Sequence, residues 1–151
     1  MSVHIPARLR RRVRERAGGR CEYCRIAQRY EPEPLQFDHV RPLAHRGRTT
    51  FANLALACRP CNHWRGPNLA SYDPQHDRIA FLFRPRLDVW EDHFDLRDGR
   101  VVGTTAEGRT TAWFLRMNLP TRVRVRMRSA ALAPAAPPTV FTPPPPAGSP
   151  G

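Results

Sequence analysis

The segment FDHVRP, residues 37–42, sets Asp38 beside His39 and lies between two cysteine pairs, CEYC at 21–24 and CRPC at 58–61. Histidine titrates near about 6.5, so at neutral pH it can accept a proton, while aspartate offers hard oxygens to a cation. In-line hydrolysis of a phosphodiester asks for both: a base to take a proton from water, and positive charge against the developing charge on phosphate and leaving oxygen. An Asp-His pair in isolation is more often structural, and neighbours on a strand face opposite sides, so joint action needs an irregular or end-of-strand backbone. Val40-Arg41-Pro42 supplies an early strand end.

The cysteines change the weight of that pair. Cys21-x2-Cys24 and Cys58-x2-Cys61 are knuckles whose sulfurs can reach one ion at about 2.3 Å. In a reducing compartment, four cysteines in two close pairs more often bind metal than form disulfides. Four thiolates leave no open coordination position, so a zinc ion there would be structural. The loop such a knot closes carries Asp38, His39 and Asn53, and Asn62 directly follows its last ligand.

The elements that must position these residues are short. Pro6, the Leu9 and Val13 spacing and the Gly18-Gly19 stop predict a helix over about 6–17 that delivers the chain into Cys21. A proline-punctuated loop leads to a strand at Leu35–Val40, and Thr49 or Thr50 can cap one helical turn running to Asn53 and Leu54. A helix is expected after Cys61. Beyond Gly66, Ile79, Phe81 and Phe83 alternate as one face of a strand, and residues 89–94 and 101–103 flank the turn Arg97-Asp98-Gly99-Arg100 as a hairpin. A helix over about 106–117 with Trp113, Phe114 and Met117 on its apolar face follows, and TRVRVRMR after Pro120 reads equally as strand or helix.

Charge points to a polyanion. The chain has a formal net charge of +12, and its 25 basic residues are all arginine. The excess sits in residues 1–20 and 121–128, as suits phosphate contacts that release counterions, although a solvated surface is the plain alternative. No window approaches the roughly 20 apolar residues of a membrane span, and no apolar run follows the first charges, so a soluble, cytoplasmic protein with no membrane partner is expected. The ending from Ala133 is too proline-rich and uncharged to join a core.

With CEYC, FDHVRPL (37–43), the AN of FANLALAC (51–58) and CRPCNHWRG (58–66) in place, the chain resembles the HNH endonuclease family in its four-cysteine, zinc-bearing form. The resemblance implies an α+β fold: a small ββα-metal core stapled by the zinc knot at Cys21, Cys24, Cys58 and Cys61, with an N-terminal helix and a C-terminal hairpin plus helix. It implies that His39 is the general base, Asp38 a ligand of a catalytic divalent ion, Mg2+ or Mn2+, and Asn53 the residue that orients His39 and its loop. The third letter falls on Asn62, where many relatives have histidine; its carbonyl oxygen still suits a hard cation. His63, and Arg65 where lysine is common, are expected to touch phosphate, as are Arg10, Arg11, Arg12 and Arg14.

The expected organisation is a nuclease domain over 1–128, with its motif core at 19–68 and an extension at 69–128, then a disordered proline- and alanine-rich tail at 129–151. The expected activity is metal-dependent endonucleolytic hydrolysis of DNA, with RNA left open as a substrate and the oligomeric state unknown. The competing readings are a non-catalytic zinc-stapled nucleic-acid binder, and a protein-interaction module that uses the tail as a polyproline II ligand.

Overall fold

The computed structural model describes residues 3–132, with side chains to Ser129. Helix α1, Ala7–Ala17, buries Val13 and half-buries Leu9 and Ala17, a stripe at helical spacing that packs against the strand pair carrying the motif. It stops where Gly18 turns left-handed at φ 62° and the amides of Gly18 and Gly19 bond back to Glu15 and Arg14.

Strands β1, Gln36–His39, and β2, Leu54–Ala57, pair antiparallel with Asp38 opposite Ala55 and His39 opposite Leu54. Helix α2, Arg59–Arg65, packs on β1 and completes a ββα unit. The helix starts before Cys61 rather than after it, because Pro60 in its first turn needs no amide partner there. The first knuckle joins the unit through the Glu22 amide, which bonds to the Leu56 carbonyl at 2.8 Å, so both cysteine pairs meet at one end of β2.

The rest wraps this unit. Strands β3, Ala70–Tyr72, and β4, Ile79–Phe81, form a second ribbon. Ile79 and Phe81 share one face of β4, and it is the open one: they stand 70% and 53% exposed, while Ala80 and, beyond the strand, Leu82 and Phe83 are buried. Trp90–His93 makes a single helical turn, α3, rather than strand, and the hairpin proper is β5, Phe94–Arg97, with β6, Arg100–Gly103. Helix α4, Ala106–Phe114, is capped by the Thr105 hydroxyl and lies close enough to α3 that a Cβ on Gly108 would meet the His93 carbonyl at 2.0 Å.

The TRVRVRMR segment is helical, within α5, Pro120–Leu132. Its register turns Arg122 and Arg126 inward, one turn apart. Arg126 donates to the carbonyls of Gly99 and Met117, and Gly99 is required because α5 crosses so closely that a Cβ there would lie 2.5 Å from the Val123 carbonyl. Half of the basic run at 121–128 therefore serves the interior. The expected tail boundary at 129 falls inside α5, and the remainder of that tail, 133–151, lies outside the described residues. Among the described residues no helix is long and apolar enough to cross a membrane.

Candidate active site and metal knot

The four cysteines are buried, and their sulfurs all lie within 4.8 Å of one another, the sulfurs of Cys24 and Cys58 3.7 Å apart. A tetrahedron with metal–sulfur bonds of about 2.3 Å has an edge of about 3.8 Å, so the cluster can hold one zinc ion. Among the described residues it is the one group of three or more Cys, His, Asp or Glu ligand atoms gathered closely enough for a metal. From α5, far along the chain, Arg122 donates to the Cys58 sulfur at 3.1 Å and lies 3.8 Å from that of Cys24, while its other nitrogen meets Glu31 at 2.6 Å. Nothing in the spacing of TRVRVRMR pointed to that contact.

Asp38 and His39 end β1, and the alternation of a strand separates them: Asp38 turns into the interior, 7% exposed, and His39 toward the surface loop. The Asp38 carboxylate accepts from Tyr23 Oη at 2.5 Å, and Arg65 Nη1 lies 3.0 and 2.9 Å from its two oxygens. Burial pushes its carboxyl up from the ordinary value, opposed by the Arg65 charge and the Tyr23 hydrogen bond. Arg65, expected on phosphate, is corrected to an interior residue. It is 1% exposed, and its fork is taken up by Asp38 and the carbonyls of His39 and Val40. The reason is register: Asn62 and Arg65 are three apart on α2, so both project onto β1.

His39 Nε2 lies 2.9 Å from the Thr49 hydroxyl. Burial lowers its pKa from the ordinary value, with the Asp38 carboxylate pulling the other way, so the neutral, proton-accepting form prevails at neutral pH. Asn53 reaches the loop and not the imidazole: its oxygen accepts from the Arg41 amide at 2.8 Å, and its nitrogen donates to the carbonyls of Arg41 and Arg48 at 3.0 and 2.8 Å. These bonds fold residues 40–53 back so that Thr49 meets His39. Arg16 extends the support from α1, donating to the carbonyls of Phe51 and Leu54 on either side of Asn53 and stacking 4.0 Å from the Phe51 ring.

The Asn62 amide nitrogen donates to Gln36 Oε1 at 2.7 Å. His63 is exposed, edge-on to Trp64. Arg10, Arg11, Arg12 and Arg14 are exposed on α1, although Arg12 and Arg14 also lie over the rings of Phe51 and Phe37 at 4.2 and 4.9 Å. His45 is on the loop, near the Pro67 carbonyl, and His93 meets the capping Thr105. Tyr23 and Thr49 are the partners that sequence reasoning missed. The first was visible only as a large residue inside a knuckle, the second only as a candidate cap.

No curated protein and no solved structure matches the chain. The family model for HNH endonuclease matches residues 21–67, from the first cysteine of the knot to just past α2. The ββα unit, both knuckles and Asp38, His39, Asn53 and Asn62 all fall within that match, so residues 21–67 are similar to the HNH endonuclease family, and their four cysteines can carry zinc as in its zinc-bearing form.

Proposed function

We propose that the protein is a metal-dependent endonuclease that hydrolyses phosphodiester bonds in DNA, with a structural zinc ion in the cysteine knot and His39 as general base. The carrying observation is the setting of His39, at the end of β1, its ring held by Thr49 and its proton affinity lowered by burial.

A catalytic ion would be held by Asp38 and Asn62. A carboxylate offers about four acceptor positions, of which Tyr23 and Arg65 take three, and the Asn62 oxygen accepts no hydrogen bond among the described residues. Such a sparse donor set fits Mg2+ or Mn2+, which are commonly bound by one or two carboxylates and completed by water and substrate phosphate. When bound, the ion would supply charge against the scissile phosphate and the leaving oxygen. Arg65 and Tyr23 fix the carboxylate in place. Thr49 fixes the imidazole, which takes the proton of the attacking water, and the exposed arginines of α1 hold the DNA backbone.

The test is cleavage of supercoiled plasmid DNA by the zinc-loaded protein with Mg2+ or Mn2+, against His39→Ala of verified fold and zinc content. A positioned base is worth about 10² to 10⁴ in rate, so the variant should lose at least that much. Salt-sensitive binding of DNA by both proteins with no metal-dependent cleavage by either would sink the nuclease and leave the non-catalytic binder, a reading favoured by the occupation of Asp38 by Arg65.

A further inference from the structure

On the side of α2 away from β1, residues of α2, β6, α4 and the turn after α4 line a groove of about 1120 Å³. Its wall contains arginine and aromatic side chains and no acidic one. Trp113 stands 59% exposed at its edge, an apolar ring left in water. Arg116 lies 3.4 Å from the centre of the Trp64 ring. Among the described residues neither Arg100 nor Arg116 has an acidic partner, whereas Arg109 is fixed by Asp73 at 2.8 Å and forms part of the wall.

We propose that this groove binds an unpaired DNA strand, with bases stacked on Trp113 and phosphates held by Arg100 and Arg116. The inference rests on the reading that the protein acts on DNA, and it adds a substrate class to it. Stacking platforms joined to cationic walls are how proteins hold single strands, because every base has a π face and every nucleotide a charge. A duplex keeps its bases stacked inside and leaves an indole at the groove edge nothing to stack on. The wall is largely apolar, but every charge in it is positive, and those of Arg100 and Arg116 have no acidic partner among the described residues, which favours a phosphate-bearing strand over the chain's own uncharged proline-rich segment at 133–151. Trp64 and Asn62 lie two apart on α2 and so project from opposite faces, which sets the groove on the far side of that helix from Asn62. The substrate this suits is DNA that carries an unpaired segment at a distance from the cleaved bond, such as a flap or a branch.

The experiment titrates the zinc-loaded, full-length protein with oligodeoxythymidylate, with an abasic strand of the same length and with a blunt duplex, following anisotropy and tryptophan emission. The expected result is quenching by oligodeoxythymidylate, weaker binding of the abasic strand, and a roughly 5- to 150-fold loss of affinity in Trp113→Ala, the range for one stacked base. Arg116→Gln should flatten the salt dependence by about 0.7 in log–log slope, one phosphate's worth on a single strand. Equal affinity for abasic and base-bearing strands, or no loss in Trp113→Ala, overturns the proposal. So does an emission unmoved by the oligonucleotide but moved by a synthetic peptide of residues 133–151, which would assign the groove to that segment. Plasmid cleavage measured on the same proteins separates the two readings: cleavage without Trp113-dependent strand binding fails the groove alone, and strand binding without cleavage fails the nuclease alone.

Discussion

At the residue scale the site is a division of labour between two neighbours facing opposite ways. Asp38 faces inward, where Arg65 and Tyr23 hold it, and His39 faces the loop, where Thr49 holds its ring. Because burial lowers the His39 pKa, its base form persists below the usual histidine range, and the acidic limb of kcat/KM for plasmid cleavage should bend below about pH 6.5. The same shift has a consequence for stability. The folded state binds the His39 proton less readily than the unfolded chain, so this contribution is complete above the unfolded value near 6.5 and is lost as pH falls toward the folded one. Thr49→Val should leave folding intact and slow cleavage by about 10²-fold, the scale of a small misplacement of a catalytic group. Arg65 behaves differently: Arg65→Met strands a buried carboxylate, and urea unfolding should show a loss of about 3–5 kcal/mol, with Arg65→Lys losing less because the charge remains. The sequence displayed Asp38, His39, Asn53 and Asn62 through their spacing to the cysteines. It hid the direction of Arg65, because exposure depends on the register of a seven-residue helix that spacing alone does not set.

At the scale of elements, the parts nearest the knot were the more legible. The first helix, the strand before Pro42 and the turn at Asn53 follow from caps, breakers and alternation, which act locally. The facing of β4 was not legible, because alternation tells that two faces differ and not which one the rest of the protein covers. Helix α5 was ambiguous because alternating arginine and valine satisfies period 2, and only its packing over the β5–β6 turn at Gly99 decides for helix. That helix also supplies the outer contact of the knot. Hydrogen bonds to metal-bound sulfur tune affinity, typically by 10- to 100-fold when one partner is removed. Arg122→Gln should therefore release zinc faster to a chromogenic chelator while retaining its helical signal, and an unchanged release rate would show that the contact with Cys58 is incidental.

At the scale of the whole molecule, the knot joins parts that otherwise meet only through one small apolar core. The first knuckle, β2, α2 and α5 all meet at the four sulfurs, and the three ribbons are separate two-stranded sheets rather than one continuous sheet. A hairpin of two strands is marginal alone, so the folded state depends on what ties the ribbons together. Structural zinc sites contribute about 10–16 kcal/mol of apparent binding energy in small peptides, against a whole-domain stability of about 5–15 kcal/mol. The core around Tyr23, Leu56, Phe83 and Phe94 is real, yet it converges on Cys21, Cys24, Cys58 and Cys61 as part of one cluster. Chelation should therefore abolish the cooperative thermal transition and the near-ultraviolet signal of the buried aromatics, not only shift the midpoint. Cys58→Ser should do the same without a chelator, because it removes a ligand and the Arg122 contact together. A chelated, zinc-free protein that still melts cooperatively would show that the apolar core suffices, and the knot would then be a clamp on the active-site loop rather than the keystone of the fold.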